Sequence, residues 1–294
     1  MAPKPGPDWR AQNTTLKILA AAEGGGYGVL ATVAYNIEHV VAMVRAAELA
    51  RSPLIIQFFP WAITFSSGLL IHAASLAARS ASVPIAIHLD HAQDADLIRR
   101  AAESLPFDSI MIDMSHCEKA ENLRKTGELV KYCHERSIAT EAEPGRIEGG
   151  EDGVMDTEGL EGSMTTMEEV ENFARTGVEV LAPAIGNMHG ENPYAKSDPD
   201  LDFKRLREIR EKLGGKVRIA LHGTNGFKPE LMQKCIAEGV TKVNVNRLVL
   251  DEYSENLKSN VDKMPLTRLM ETGVERVINQ TREWMEVCGS AGKA

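Results

Sequence analysis

The chain has 294 residues, 43% of them hydrophobic and 26% charged, with a formal net charge of −9. That length suits a single parallel barrel of about 250 residues or two smaller domains, and an acidic balance without a long basic run gives no electrostatic support for binding nucleic acid or an acidic membrane. The four cysteines (Cys117, Cys133, Cys235, Cys288) form no short pair, residues 1–7 lack the apolar core of a signal peptide, and no apolar run is long enough to span a bilayer, so a reducing, cytoplasmic setting is expected.

After a Pro-rich lead-in over residues 1–12, Asn13 or Thr14 is placed to cap a helix running to about residue 22. A repeating pattern follows. Strands are expected at 28–35, 53–59, 84–90, 109–114, 138–143, 178–185, 217–222 and 242–246. Helices are expected between them at 38–50, 67–79, 95–104, 119–136, 166–175, 203–212 and 229–238, and then at 249–258. A last helix spans about 266–287, after Pro265. Apolar strands alternating with amphipathic helices imply parallel strands covered on both faces, and eight such units imply closure into a (β/α)8 TIM barrel. An open doubly wound sheet is the competitor, but its dinucleotide form needs a glycine-rich fingerprint after the first strand, which is missing. One barrel over 13–294 with extra terminal helices is the expected organisation.

In such barrels chemistry sits at the C-terminal ends of the strands. Those ends carry Asn36, the pair Asp90 and His91, Asp113, Glu141 and Glu143, His189, His222, Asn244, Asn246 and Arg247. His91, His189 and His222 follow the third, sixth and seventh strands. Three imidazoles at one open mouth with no cysteine nearby suit a catalytic zinc, with three protein ligands and a free position. Asp90 beside them is a candidate acid/base, the alternative being a cap for the next helix. His88, one residue further inside the strand, is expected to point to the other side and fill the barrel.

The loop 145–164 is long, polar and rich in Gly and Glu, as lids often are, and Glu151 on it would carry a proton to or from a bound substrate. A merely acidic surface loop is the alternative. Gly190 and the turn Gly223-Thr224-Asn225-Gly226 allow backbone N–H groups to approach an anion, where barrels commonly bind phosphate.

Taken together, AYNIEH, SPLIIQ, IHLDHAQD, IMIDMSH, EAEPGRIEGGEDGV, APAIGNMHG, LHGTNG and KVNVN resemble the class II, metal-dependent fructose-bisphosphate and tagatose-bisphosphate aldolases, from about Tyr27 to the C-terminus. The resemblance implies reversible aldol cleavage of a ketose phosphate or related ketose into a dihydroxyacetone phosphate-type donor and an aldehyde, through a zinc-stabilised enediolate. It makes His91, His189 and His222 the zinc ligands, with Asp113 and Glu143 serving an alternative or second divalent position. Asp90 becomes the acid/base on the aldehyde-derived hydroxyl, and Glu151 the group that moves the proton on the donor carbon. Gly190, Gly223, Asn225 and Asn244 would line the donor and its phosphate, with a monovalent cation (Na+ or K+) close by, and Asn36 would lie near the substrate. A homodimer or homotetramer is also implied.

Four positions depart from the family pattern. Phe58-Phe59 stand where bisphosphate-binding members end the second strand with a serine, Asn225 replaces the Ser of the HGxSG turn, and Pro144 replaces a Leu. Asn246-Arg247 replaces the usual small-then-Thr or Asp-Thr pair. An arginine there matches phosphate or carboxylate, so a carboxylated donor stays open. Two other activities fit the motifs less directly. A zinc-dependent epimerase or isomerase would keep the same chemistry and lose acceptor contacts. A silent binding protein would have lost a zinc histidine, Asp90 or Glu151, all of which are present.

Overall fold

The computed structural model describes residues 6, 8–154, 160–190, 194 and 199–294. In it, α1 (Trp9–Gln12) and α2 (Thr14–Gly25) precede β1 (Val29–Val33), α3 (Ile37–Ala50), β2 (Leu54–Phe58), α4 (Pro60–Ser66), α5 (Leu69–Ser80), β3 (Ile85–Ala92) and α6 (Ala95–Ser104). There follow β4 (Ser109–Ile112), α7 (Lys119–His134), β5 (Ala139–Ala142), α8 (Met167–Arg175), β6 (Val180–Leu181), α9 (Phe203–Leu213), β7 (Arg218–Leu221), α10 (Pro229–Ala237), β8 (Val240–Val245), α11 (Arg247–Asn260) and α12 (Leu266–Val287). The strands pair in parallel in chain order, and β8 returns to β1, closing the barrel.

Local chemistry starts the helices where it should. Asp94 accepts from the backbone N–H of Asp96 and Leu97 to open α6, and Thr166 and Glu169 form a capping box on α8. Asp90 is therefore free of the capping duty. The helices then bury an apolar stripe on the outer face of the strands, as α6 does with Leu97, Ile98, Ala101 and Ala102.

The strand period of two sends alternate residues into the barrel. One end of the interior is apolar: Val29, Ala31, Ile55, Ala86, Met111, Val180 and Ala220 pack with Ile18, Leu19 and Ala22 of α2. That helix is tied to the same end by Asn13, whose amide donates to the Asp108 carbonyl at 2.7 Å.

Five local features differ from the expected elements. Residues 60–66 form α4, started by Pro60 at its first turn, where the sequence reading has only a connection. A short helix, α1, lies in the lead-in, and β6 contracts to two residues. β3 runs on to Ala92, with a register shift against β4 between Leu89 and Ala92 and a left-handed His91 (φ 46°). Finally, His88 shares the inner face with Asp90, its Nε2 lying 3.7 Å from Asp90 Oδ1. Residues two apart on a strand face the same way, so His88 fills the barrel from the side on which Asp90 stands. Among the described residues, no single helix is long and apolar enough to cross a membrane.

Candidate active site

The bulge at the end of β3 is what brings two consecutive side chains to one mouth. Strict alternation would send Asp90 inward and His91 outward; the positive φ at His91 breaks the alternation, and both are buried at the top of the barrel. A β-type residue strained into this region is held there by its surroundings. His91 Nδ1 lies 2.9 Å from Asp113 Oδ2 at the end of β4. Its Nε2 faces inward, 3.0 Å from His222 Nδ1.

His222 follows β7, and its outer nitrogen, Nε2, is 2.8 Å from Glu141 Oε1 on β5. Gly223 follows, with φ 66° and with the Met188 backbone where a Cβ would go, so only glycine lets the two loops pass this closely. His189 completes the group, its N–H donating to the Glu148 carbonyl at 2.8 Å. The ring centroids of His91 lie 4.8 Å from those of both His189 and His222.

These three rings offer nitrogens within 4.8 Å of one another, and so do His91, Asp113 and Glu143 with their ligand atoms. Two of the imidazoles have the opposite nitrogen fixed by a carboxylate, the arrangement that orients metal-binding histidines. Glu143 Oε1 accepts from the Ile147 N–H at 2.7 Å, while Oε2 is buried without a hydrogen-bond partner. An unsatisfied buried carboxylate oxygen beside a histidine cluster is the donor set a divalent ion completes. Thiolates are absent from the set: the free cysteines lie elsewhere.

The electrostatics agree with that fit. Burial penalises a charge on His91, yet Asp90, Asp113 and Glu143 outweigh it and raise this imidazole to about 10. Burial and the neighbouring Asp113 push Glu143 up to about 8. Both groups hold a proton where the carboxylate-rich pocket wants a cation. His189 and His222 go the other way, lowered by desolvation and by the neighbouring His91. Asp90, despite desolvation, is kept well below the ordinary carboxylate range by His91, His88, Lys242 and His222.

Asp90 is held from two sides, by Gln57 Nε2 at 2.8 Å and Asn244 Nδ2 at 3.0 Å, both to Oδ2. Gln57 carries no expected role in the sequence reading, although it lies on the inner face of β2 two residues before Phe59. That ring lines the same small cavity as Asp90, His91 and His222, its centroid 6.1 Å from that of His91.

Glu151 reaches this cavity from the loop, and the two Asn residues of the expected anion site hold it there. Asn225 Nδ2 is 3.3 Å from Oε1 and Asn246 Nδ2 is 2.9 Å from Oε2. Burial raises the Glu151 carboxyl, with the Asn246 amide and His91 partly offsetting it. The described part of the loop is anchored by an antiparallel bridge between Arg146 and Ser163 and by Tyr35, whose hydroxyl donates to the Asp152 carbonyl at 3.3 Å. Residues 155–159 of the expected lid lie outside the described residues.

Asn36 and Arg247 sit to one side. Asn36 caps α3 through the His39 N–H and donates to the Tyr253 hydroxyl at 3.0 Å. The Arg247 N–H donates to Asn225 Oδ1 at 3.2 Å, and its guanidinium Nε lies 2.9 Å from Asp251. With Gly190, Asn246 and Glu151 they line an adjoining cavity of 380 Å³.

Comparison with known proteins bears directly on this arrangement. The model of the family described as "Fructose-bisphosphate aldolase class-II" matches residues 13–293. A Streptococcus pneumoniae protein named fructose-bisphosphate aldolase is 33% identical over 296 residues, covering 95% of this chain and 98% of its own. A crystal structure from Coccidioides immitis, provisionally described as a fructose-1,6-bisphosphate aldolase, matches with a TM-score of 0.94 at 49% identity, over 96% of this chain and 98% of that one. The YdjI aldolase of Escherichia coli K12 matches with a TM-score of 0.81 at 28% identity, over 95% and 97% of the two chains.

Proposed function

Because the chain belongs to the class II fructose-bisphosphate aldolase family, we propose that His91, His189 and His222 hold its catalytic zinc and that Asp90 and Glu151 move the two protons of the reaction. The enzyme is a carbon–carbon lyase, a metal-dependent aldolase of small-molecule sugar phosphates. The observation that carries the residue assignment is the convergence of three imidazoles beside a buried carboxylate held by two amides. Asp113 and Glu143, with His91, are the residues for a second divalent position.

A divalent ion on the imidazoles supplies a Lewis acid that draws charge from the ketone oxygen of the substrate. In the cleavage direction Asp90, kept ionised, takes the proton of the hydroxyl on C4 of the ketose, and the electron pair left on oxygen becomes the aldehyde carbonyl as the C3–C4 bond breaks. Glu151, whose burial favours the protonated carboxyl, returns a proton to C3 of the donor fragment. In synthesis the two groups exchange roles. For Glu151 to reach carbon, the loop must release it from Asn225 and Asn246, so binding of the donor and delivery of the base are one event.

The donor belongs against Gly190, Gly223, Asn225, Asn244 and Asn246, its anionic group on the side of Gly190 and the 223–225 turn, with Arg247 at the rim. At the opposite edge Phe59 closes the acceptor side with a ring where a hydroxyl would hold a second phosphate, which favours an aldehyde not anchored there by an anion. The zinc-loaded protein should exchange one α-proton of dihydroxyacetone phosphate stereospecifically in D2O, read by NMR, and lose the exchange with a chelator. Exchange that ignores the chelator would refute the metal assignment. Chelator-sensitive exchange with pyruvate-like ketones alone would move the donor to a carboxylated compound.

A further inference from the structure

Lys242 gives up and takes up no proton in the transfers above, yet it is wholly buried inside the barrel. A lysine occupies such a position only when its contacts require it. Its ammonium lies 2.9 Å from Glu141 Oε2 and donates at 2.7 Å to Asn244 Oδ1. Each of those partners leads to a different half of the site.

Glu141 leads to the metal. With Oε2 turned to Lys242, its Oε1 lies 2.8 Å from His222 Nε2. An ionised carboxylate can only accept, so Nε2 carries the hydrogen and the lone pair of His222 is left on Nδ1, the nitrogen that faces His91. Asn244 leads to the proton. Lysine can only donate, so Asn244 presents its oxygen to Lys242 and its NH2 to the other side, where Asp90 Oδ2 accepts at 3.0 Å. Flipping that amide would set oxygen against carboxylate.

We propose that Lys242 is a positioning residue that sets both halves of the site at once: through Glu141 the tautomer of His222, and through Asn244 the hydrogen bond that holds Asp90. This rests on the assignment of His222 to the metal and of Asp90 to proton transfer. The same ammonium accounts for a second acidic cluster. His88, Asp90 and Glu141 also bring ligand atoms within 4.8 Å of one another, and there the cation is part of the chain.

A lysine that merely neutralises buried carboxylates has no need of direction, and that is what the test separates. Zinc affinity is measured by competition with a chromophoric chelator, and kcat and KM at saturating zinc, for Glu141→Gln, Lys242→Met and the double variant. In Glu141→Gln one amide cannot accept from both His222 and Lys242, so zinc affinity should fall by roughly 10- to 100-fold while kcat recovers once zinc saturates. Lys242→Met should weaken zinc similarly and also keep kcat down by roughly tenfold or more at saturating zinc, because Asn244 has lost its orientation. Lys242→Met alone leaves a buried carboxylate unpaired; the double variant, which carries neither charge, supplies a folded comparison and should show the same depressed kcat. Unchanged zinc affinity in Glu141→Gln, or full recovery of kcat with zinc in both variants lacking Lys242, overturns the proposal. A wild-type enzyme indifferent to chelator would overturn the zinc assignment and this proposal together, whereas a chelator-sensitive wild type with unaffected variants overturns this proposal alone.

Discussion

At the end of the barrel closed by α2, the inward positions include Val29, Ala31, Ile55, Ala86, Met111, Val180 and Ala220, packed on Ile18, Leu19 and Ala22. At the other end the same alternation turns in Gln57, His88, Asp90, Glu141, Lys242 and Asn244, all of them buried. The first set stabilises the fold at about 25 cal/mol per Å² of apolar surface removed from water. The second opposes folding unless its polar atoms find partners, and it is wired into a network of amides, carboxylates and imidazoles in which Gln57 Oε1 and His88 Nε2 still lack a hydrogen-bond partner. One half therefore makes the barrel stable and the other makes it reactive. Substitutions in the two halves should separate stability from activity.

The largest separation is expected at the three histidines proposed as zinc ligands. His189→Ala should remove bound metal and reduce cleavage to background while leaving the apolar end folded, which metal analysis and circular dichroism on one sample would check. Retained activity without metal would break the division at its centre. Asp90→Asn comes next: zinc stays, and kcat falls by roughly 10²–10⁴-fold, the usual loss for a missing acid/base. The reciprocal change at the closed end is Leu19→Ala, at a side chain with no exposed surface. It should cost roughly 2–5 kcal/mol of stability in denaturant unfolding and leave kcat/KM of the folded enzyme unchanged. A comparable loss of kcat/KM would show the two ends to be coupled.

The pH dependence of stability sharpens the comparison further. In the metal-free chain His91 is raised from 6.5 to about 10 and Glu143 from 4.5 to about 8. Both folded values lie above the unfolded ones, so the stability each proton contributes is complete below the unfolded value and is lost as pH rises through the folded one. The Tm of metal-free protein should therefore decline between pH 7 and 10. Zinc on the three imidazoles would take the place of the His91 proton and oppose that of the adjacent Glu143, so the zinc-loaded protein should decline less and the gap between the two should widen with pH. Parallel curves would mean that the ion binds without displacing protons from this cluster.

Much of this division can be read in the sequence, and the exceptions have physical causes. The barrel is legible because runs such as Ile85-Ala86-Ile87 alternate with capped, amphipathic helices, two signals that do not depend on tertiary contacts. His91, His189 and His222 are legible because each follows an apolar run, where barrels keep their chemistry. The bulge at His91 is not, since a positive φ in a histidine is imposed by its surroundings and leaves no mark on neighbouring residue types. Lys242 passes for a strand-surface lysine until its parity with Asn244 and Asn246 is noticed. The docking of Glu151 on Asn225 and Asn246 joins residues 74 and 95 positions apart, beyond any local pattern. α4 is short and starts on Pro60, so it resembles the connection it interrupts.

Arg247 offers the smallest and most discriminating change, because its two ends do different things. Its main-chain N–H points into the turn proposed for the anion, toward Asn225 Oδ1 at 3.2 Å, whereas its guanidinium reaches along α11 to Asp251 at 2.9 Å. If the donor's anion is held by backbone and carboxamide groups, Arg247→Ala removes only a rim charge. KM for dihydroxyacetone phosphate should then rise by less than about tenfold, or under about 1.4 kcal/mol, with kcat unchanged, as expected for loss of uniform binding. The salt dependence of KM should weaken in parallel, since the lost interaction is a screened one. A larger rise, near the roughly 1.5–3 kcal/mol of a charged hydrogen bond, would mean that the guanidinium leaves Asp251 to take the anion directly. In that case Asp251→Asn, which frees the arginine, should lower KM, while a backbone-held anion predicts no change. The pair of variants thus decides whether the reactive end of the barrel stops at Asn246 or extends one residue into α11.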